Sequence, residues 1–323
     1  KLKETNTGDT LCDLSNQVIF DPIVFAEPLI SYAVNPKTKG EEQKVSTGLH
    51  NILHEDPTLK LNRDKEANEI ILSGMGQMHI EIALQKLKRK FGVEVEIHSP
   101  MVPYRESITT SAKAQGKYKK QSGGRGQYGD CWIEIKPLPK GSGFKFVDKI
   151  VSGTIPKQYI PAVETGIVEK MKQGVFAGYP LIDIEVRLYD GSFHTVDSSE
   201  LAFKIAGSFA IKNAVAQANP ILLEPIMKVE IDIPEDSMGA VIGDLNAKRG
   251  KVQGVNPMPG SSQKINALVP LAEMLTYANQ LQSITSGQGV YTMEFYSYEE
   301  VPYHIAEKIA KERNKTEQAE AKT

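Results

Sequence analysis

Residues 227–233 have the sequence Met-Lys-Val-Glu-Ile-Asp-Ile, in which apolar and charged side chains alternate strictly. A period of two predicts a β-strand with one buried and one solvated face. Pro234 ends it, because proline has no amide hydrogen to donate. A helix with an apolar stripe follows, and the stripe consists of Met238, Val241, Ile242 and Leu245. We expect Asp236 to cap this helix and Gly250 to lie just past its end.

Further strands and helices are predicted after this strand and helix, and the same order of elements occurs again near the N-terminus. After the first helix, strands are predicted at residues 252–255 and 265–269, a second helix at 274–284 ended by Gly287, and a last strand at 290–298. This order, βαββαβ, is typical of a ferredoxin-like sandwich. The N-terminal segment repeats it, with elements predicted at residues 30–34, 45–53, 59–61, 70–72, 80–91 and 93–97.

The segment between the two sandwiches differs from both. It contains a strand at residues 131–135, a helix at 160–171, a strand at 181–189 and a long helix at 198–218, which together indicate a mixed α/β domain. Prolines near the segment junctions support the division into three.

Length and charge limit what the chain can be. Its 323 residues exceed what one hydrophobic core serves, so we expect three modules. The formal net charge is −2, and affinity for nucleic acid must therefore come from local clusters of cations. No apolar run is long enough for a membrane span, the two cysteines lack metal-ligand spacing, and no secretion signal is found, which predicts a cytoplasmic protein.

A basic, glycine-rich stretch lies at residues 113–129. Its cations are Lys113, Lys117, Lys119, Lys120 and Arg125. Its glycines, which allow a ligand to approach the backbone, include Gly123, Gly124 and Gly126. Residues 113–129 include no acidic side chain, and the first one after them is Asp130. Gln127 offers hydrogen bonding and Tyr128 offers stacking. The combination indicates contact with unpaired RNA, and the alternative is a solvated surface hairpin.

A dinucleotide-binding pattern, G-x-G-x-x-G, is also matched here, by Gly124, Gly126 and Gly129. That pattern requires a strand before it and a helix after it. Residues 117–121 are strongly polar and residues 131–135 alternate like a strand, so no helix N-terminus is predicted to hold a pyrophosphate. We assign no cofactor to this stretch.

Residues 190–200 bring a histidine, aspartates and serines close together in the sequence. One interpretation is a hydrolase using His194, Asp197 and Ser198, although sequence neighbours rarely form a triad and no G-x-S-x-G elbow is present. The other is capping of the following helix by Asp197 or Ser198, with Glu200 completing a capping box. We favour capping, which leaves His194 free to bind a ligand.

Two further patterns bear on metal and nucleotide chemistry. His50 and His54 are spaced for one helix face, but Asn51 replaces the glutamate of the metalloprotease pattern, so we interpret the histidines as structural and expect no metal. The P-loop pattern G-x-x-x-x-G-K-[ST] does not occur in the sequence. We therefore predict that this chain by itself is not an enzyme.

Five motifs, taken in order, resemble bacterial elongation factor G. They are residues 74–79 (GMGQMH), 121–129 (QSGGRGQYG), 197–203 (DSSELAF), 223–228 (LEPIMK) and 291–295 (YTMEF). The similarity covers essentially the whole chain as the last three domains of that family. The family's N-terminal GTPase domain has no counterpart in this sequence.

The resemblance implies an α+β fold class, with two ferredoxin-like βαββαβ sandwiches flanking a mixed α/β domain that resembles the ribosomal-protein-S5-like fold. Residues 1–21 would be the end of a preceding β-barrel domain and a linker. The next segments would be a ferredoxin-like third domain at 22–100, an RNA-contacting tip domain at 101–221, a ferredoxin-like fifth domain at 222–303 and a charged tail, expected to be disordered, at 304–323.

The resemblance also implies a ribosome-binding arm that promotes GTP-dependent translocation of tRNA and mRNA. Two tip loops would reach the decoding centre, and the fifth domain would face the sarcin-ricin loop. The implied RNA-contacting residues are Lys117, Lys119, Lys120, Gly123, Gly124, Arg125, Gly126, Gln127, Tyr128, His194, Asp197, Ser198 and Ser199. GTP and Mg²⁺ would be bound by the family's N-terminal domain, so no cofactor, metal or catalytic residue is assigned to this chain. We expect a monomer without membrane contact.

Four positions depart from the family's usual residues: Gln77, Met78, Phe193 and Thr195. They leave two related functions open. One is a second-copy elongation factor G that acts in ribosome recycling, and the other is a ribosome-protection protein that displaces tetracycline.

Overall fold

The structure of the protein, a computed structural model, describes residues 5, 7–25, 28–64, 69–121, 126–151 and 153–320, with side chains as far as residue 313. The chain forms two compact units. Unit 1 consists of Lys1–Val102 and Ile226–Ser297, and unit 2 of Pro103–Pro225 and Tyr298–Thr323. Both are α+β, as predicted. No helix in the described part of the chain is long and apolar enough to cross a bilayer.

The N-terminal part of unit 1 has the predicted order βαββαβ. Its elements are β1 Ile30–Pro36, α1 Glu42–Glu55, β2 Lys60–Asp64, β3 Glu69–Gly74, α2 Gln77–Phe91 and β4 Val95–His98. The sheet has the order β2-β3-β1-β4, and all its neighbouring strands are antiparallel. Helix α2 ends at Gly92, whose φ of 63° lies in the left-handed region that glycine adopts without strain.

The part of unit 2 that precedes residue 220 contains a sheet and two helices. Its elements are β5 Arg105–Ile108, β6 Ala112–Lys120, β7 Gln127–Pro137, β8 Phe144–Asp148, α3 Ile160–Gln173, β9 Ile184–Ser192 and α4 Glu200–Gln217. The order is β6-β7-β9-β8, in which only the β8–β9 pair is parallel among the described strands of this sheet. Strand β6 is not predicted by the sequence pattern, because its inner face carries alanine, glycine and Tyr118 in place of a run of large aliphatic residues.

The C-terminal elements complete both units. They are β10 Pro220–Pro234, α5 Met238–Ala247, β11 Lys251–Met258, β12 Ser262–Pro270, α6 Leu271–Met274, α7 Tyr277–Ile284, β13 Val290–Glu300 and α8 Tyr303–Glu320. Residues 220–223 of β10 pair with β5, and residues 226–234 pair with β12. The sheet order is β11-β12-β10-β13. The single helix predicted at residues 274–284 is divided into α6 and α7.

The ends of α5 differ from the expectation in two respects. Asp236 does not cap the helix, because it lies in a short 3-10 turn that precedes α5. The hydrogen bond of this turn is donated by the Met238 amide to the Glu235 carbonyl. The left-handed residue after the helix is Arg249, with φ 60°, and not Gly250. Gly250 instead donates its amide hydrogen to the Leu245 carbonyl at 2.8 Å.

The charged tail, expected to be disordered, is helical over the residues that the structure describes. Helix α8 buries Ala306 and Ala310. On its exposed side the Tyr303 hydroxyl donates to Glu307 at 3.0 Å, and Lys311 lies 3.6 Å from the same carboxylate. Pairs at this spacing stabilise a helix, and the two buried alanines add packing that the charged composition did not indicate.

Glu106 on β5 is a carboxylate with no solvent exposure. It accepts four backbone amide hydrogen bonds from the segment that follows α3, donated by Val175 at 2.7 Å, Phe176 at 2.9 Å, Ala177 at 2.7 Å and Tyr179 at 3.1 Å. Bonds to a charged acceptor are stronger than neutral ones, and these replace the water that the carboxylate loses on burial. Glu106 thereby fixes the chain between α3 and β9.

Replacing Glu106 by glutamine should destabilise unit 2, because the amide turns one acceptor oxygen into a donor that faces backbone N–H groups. We expect Glu106→Gln to lower the free energy of unfolding by about 3 kcal/mol. Urea titration followed by Trp132 fluorescence measures this, since the one tryptophan of the chain lies in unit 2. The half-exposed Glu164→Gln on α3 is the control, and equal midpoints for the two variants would contradict the assignment.

Candidate nucleic-acid interface

Helix α4 lies in direct backbone contact with the sheet of unit 2. Its inner face carries the fully buried Ala202, Ala206 and Ala210. Gly116 on β6 and Gly129 on β7 lie opposite. A Cβ atom on Gly129 would be 2.5 Å from the Ala202 carbonyl oxygen. A Cβ atom on Gly116 would overlap the Ala206 carbonyl oxygen. Only hydrogen fits at these positions, so the two glycines set how deeply α4 packs.

The N-cap of α4 is Ser199. Its hydroxyl oxygen accepts the Ala202 amide hydrogen at 3.2 Å. The expected cap, Asp197 or Ser198, is therefore wrong by one or two residues. Ser198 is buried and its hydroxyl oxygen accepts the His194 amide hydrogen at 2.9 Å, so this side chain closes the preceding loop and does not begin the helix.

The loop before α4, residues 193–198, is folded around His194. The Ser198 amide donates to the His194 carbonyl at 3.1 Å. Nδ1 of the ring accepts the amide hydrogens of Val196 at 3.4 Å and Asp197 at 3.2 Å. The rest of the imidazole is exposed, with 55% of the side chain accessible. The loop thus presents a histidine whose orientation is fixed by its own backbone.

The β6–β7 hairpin meets this loop where β7 begins. The Tyr128 amide donates to the Asp197 carbonyl at 2.8 Å, and Tyr128 and Ser198 form a parallel bridge. Gly126 is buried against the Asp197 carboxylate, where a Cβ atom would come within 2.9 Å of Cγ. The structure therefore brings Gly126 to Tyr128 together with His194 to Ser199. Gly123, Gly124 and Arg125 lie outside the described residues.

Exposed lysines lie on the strand that leads to this junction. Lys117, Lys119 and Lys120 are all solvent-exposed on β6. The Lys117 ammonium lies 5.8 Å from the centroid of the Tyr128 ring, and Lys119 is paired in register with Tyr128. Within the described ranges, none of the three forms an ion pair with a carboxylate. Their charge is therefore available to an anionic ligand.

A buried carboxylate orients the tyrosine of the junction. Asp130 accepts hydrogen bonds from Gln115 Nε2 and the Ser192 hydroxyl, each at 2.7 Å. The Ser192 oxygen is in turn 2.7 Å from the Tyr128 hydroxyl. Residue spacing in the sequence does not reveal this network, because its members lie on three strands and only the sheet register brings them together.

The hydrolase alternative lacks its central contact. In a serine hydrolase the hydroxyl bonds to a ring nitrogen of the histidine. Here the Ser198 oxygen is bonded to a backbone amide, and Nδ1 of His194 is bonded to two others. No hydrogen bond between the Ser198 hydroxyl and the His194 ring occurs among the contacts of the described residues. The hydrogen bonds of Ser198 and His194 therefore close the loop before α4 and do not form a catalytic pair.

The dinucleotide pattern also has the wrong surroundings. Strand β6 does precede it, in spite of the polar character of residues 117–121. Strand β7 follows it, and the two strands form an antiparallel hairpin. A pyrophosphate site of this type needs a helix N-terminus directly after the glycines.

The histidine pair lies on α1. Nδ1 of His50 is 2.8 Å from the Ser46 carbonyl oxygen of the same helix. No group of three or more histidine, cysteine, aspartate or glutamate side chains that could hold a metal ion is present in the part of the chain that the structure describes.

Three family models match consecutive parts of the chain. They are Elongation Factor G, domain III, over residues 25–99; Elongation factor G, domain IV, over residues 100–219; and Elongation factor G C-terminus over residues 221–309. The chain belongs to the elongation factor G family. The junction of hairpin and loop described above lies in domain IV of elongation factor G.

A crystal structure of a protein from Thermus thermophilus is similar, with a TM-score of 0.77 and 43% sequence identity. The match covers 91% of this chain and 44% of that protein. The chain therefore spans less than half the length of the Thermus protein. The matched family models are those of domains III and IV and the C-terminus, and these domains are translation elongation factor modules.

A methyl group at Gly116 should force α4 away from the sheet of domain IV. We expect Gly116→Ala to lower the free energy of unfolding by about 2 kcal/mol, as overpacking typically does. Gly243→Ala on α5 is the matched control, because open space surrounds that position, and it should stabilise its helix by about 1 kcal/mol. Thermal unfolding followed by circular dichroism compares the two. A stabilising effect of Gly116→Ala would contradict the close packing.

The capping role of Ser199 leads to a second prediction about the stability of domain IV. Ser199→Ala should cost about 1 kcal/mol of stability, whereas Ser199→Asp, which keeps an acceptor, should cost little. Urea unfolding monitored by Trp132 fluorescence distinguishes the variants. If both behave alike, the hydroxyl does not cap α4.

Proposed function

We propose that this chain is the ribosome-binding arm of an elongation factor that promotes GTP-dependent translocation of tRNA and mRNA. Domain IV contacts RNA at the decoding centre through the junction of the β6–β7 hairpin and the His194 loop. The domain that matches the family's C-terminus faces the sarcin-ricin loop region. GTP and Mg²⁺ are bound by the N-terminal domain of the whole protein, which acts in the cytoplasm, and not by this chain.

The observation that carries this proposal is the hydrogen bond from the Tyr128 amide to the Asp197 carbonyl. It supports a single contact surface built from two loops that are far apart in sequence. That surface combines exposed lysines on β6, an aromatic ring and an exposed histidine. Lysines neutralise phosphates, and rings stack on unpaired bases, which suits RNA.

Rigidity at the junction suits a part that moves RNA. Helix α4 is anchored by its glycine contacts with the sheet, and its capped N-terminus is next to the His194 loop. Force applied to the loop is therefore passed to the packed sheet and helix.

Charge reversal at the junction tests the proposal. Lys119→Glu combined with Lys120→Glu should weaken ribosome binding by this chain and reduce its salt dependence, with a slope smaller by roughly one for each phosphate that the protein no longer neutralises. Lys170→Glu with Lys172→Glu, in the last turn of α3, is the control with the same change in charge. Ribosome pelleting across a salt series measures both. Equal weakening by the two pairs would leave the junction without a specific role.

The same substitutions in the full-length factor address the activity. We expect tRNA movement on the ribosome to slow with the Lys119 and Lys120 pair and to be unchanged with the α3 pair. If movement is unaffected while ribosome splitting with recycling factor slows, the arm serves recycling and the translocation proposal is wrong.

A further inference from the structure

The domain IV sheet has a second face, opposite α4. On β6, Ala114 and Gly116 face the helix, so the odd-numbered residues of that strand face away from it. The register pairs Lys119 with Tyr128 and Gln115 with Trp132, which places these β7 side chains on the same outer face. We call this the outer face of domain IV.

Cations and aromatic rings are interleaved on the outer face. The Lys113 ammonium lies 5.5 Å from the Tyr189 ring centroid, and the Lys117 ammonium lies 5.8 Å from that of Tyr128. Trp132 lies between them in the register and is half-buried. The three lysines at 113, 117 and 119 are exposed. Rings that are held in place beside cations are the components of a surface that binds single-stranded nucleic acid.

Most acidic side chains of this face are bonded to neighbouring groups, while Asp190, paired in register with Trp132, is exposed and accepts the Gly191 amide hydrogen at 2.8 Å. Asp130 is buried and bonded to Gln115 and Ser192. Toward the β8 edge, Lys145 lies 2.9 Å from Glu185, and Arg187 contacts both Glu185 and Glu134. Lys113 and Lys117 lie opposite Glu134 and Asp130 in the strand register, but neither lysine forms an ion pair with a carboxylate among the residues that the structure describes. On the described residues of β6 and β7 this face carries Lys113, Lys117 and Lys119 against Asp130 and Glu134, and its net charge is therefore positive.

We propose that the β6–β7 half of the outer face binds an extended single strand of RNA that continues from the tip. The inference rests on the proposed function, in that RNA is taken as the partner. It adds a second subsite, formed by Lys113, Gln115 and Trp132 together with Tyr189 of the neighbouring strand β9. Along β6, Lys113 is about 20 Å from Lys119, at roughly 3.4 Å per residue. The lysines contact phosphates, and a base stacks on Trp132.

An RNA duplex does not fit this chemistry, because its bases are stacked inside the helix and present no face to an aromatic ring. An acidic peptide could pair with the lysines but would leave the rings without a partner. An RNA duplex and an acidic peptide are therefore the comparison ligands that test the proposal.

Trp132 is the one tryptophan in the chain, so its fluorescence reports directly on this subsite. The complete chain is titrated with a uridine-rich single-stranded RNA, a blunt-ended RNA duplex and poly-glutamate, with excitation at the red edge where tyrosine does not absorb. We expect saturable quenching by the single strand only. Equal quenching by poly-glutamate would favour an acidic protein partner over RNA, and equal quenching by the duplex would exclude stacking of an unpaired base on Trp132.

Charge reversal then separates this inference from the proposed function. Using labelled single-stranded RNA, we expect Lys113→Glu to weaken binding by about tenfold and to lower the salt slope by about 0.7. Lys172→Glu, exposed on α3 on the helix side of the sheet, is the control and should have no effect. Circular dichroism confirms that both variants are folded.

These measurements distinguish failure of the outer-face subsite alone from failure of the proposed function. If the Lys119 and Lys120 reversal weakens RNA binding while Lys113→Glu has no effect and Trp132 emission is constant, the outer face is not a subsite and the proposed function stands. If the unmodified chain binds neither the single-stranded RNA nor ribosomes, the proposed function and this inference both fail.

Discussion

The close contact of α4 with the sheet is the constraint on which the rest of domain IV depends. Two positions without side chains, Gly116 and Gly129, allow the helix backbone to touch two strands. The alanines opposite them keep the helix side equally flat. Once α4 lies at this depth, its first turn is next to the start of β7. The meeting of the hairpin with the His194 loop is a consequence of that position.

Close packing on one face also determines the chemistry of the other. Side chains alternate along a strand, so a face restricted to small residues leaves the large and charged ones to the opposite face. Strand β6 follows this pattern, with Ala114 and Gly116 inward and Lys113, Lys117 and Lys119 outward. An edge strand rich in lysine also resists pairing with another chain. One local sequence thus meets a packing requirement and supplies positive charge.

Much of the fold could be predicted from hydrophobic periodicity, because the two sandwiches bury regular stripes such as Leu49 and Ile52 on α1. Strand β6 could not, since a strand that packs small residues has no apolar signal. The cap of α4 was misplaced because three consecutive residues, Asp197, Ser198 and Ser199, can all cap, and only the path of the loop selects Ser199. The resemblance suggested that the two loops are neighbours, whereas residue spacing alone did not. The Asp130 network depends on strand register and could not be found in either way.

A chain with a net charge of −2 can still present a cationic surface, and domain IV shows how. Two of its buried carboxylates, Glu106 and Asp130, are solvated by internal hydrogen-bond donors. Those donors weaken the negative field that each carboxylate would otherwise exert outside the protein. Glu185 at the β8 edge is matched by Lys145 and Arg187, whose proximity lowers the pKa of its carboxyl group. The lysines of β6 form no ion pair with a carboxylate in the described structure, so the positive charge that remains lies along β6 and reaches the junction of the hairpin with the His194 loop. Local pairing, and not the total charge, therefore decides where an anionic polymer can bind.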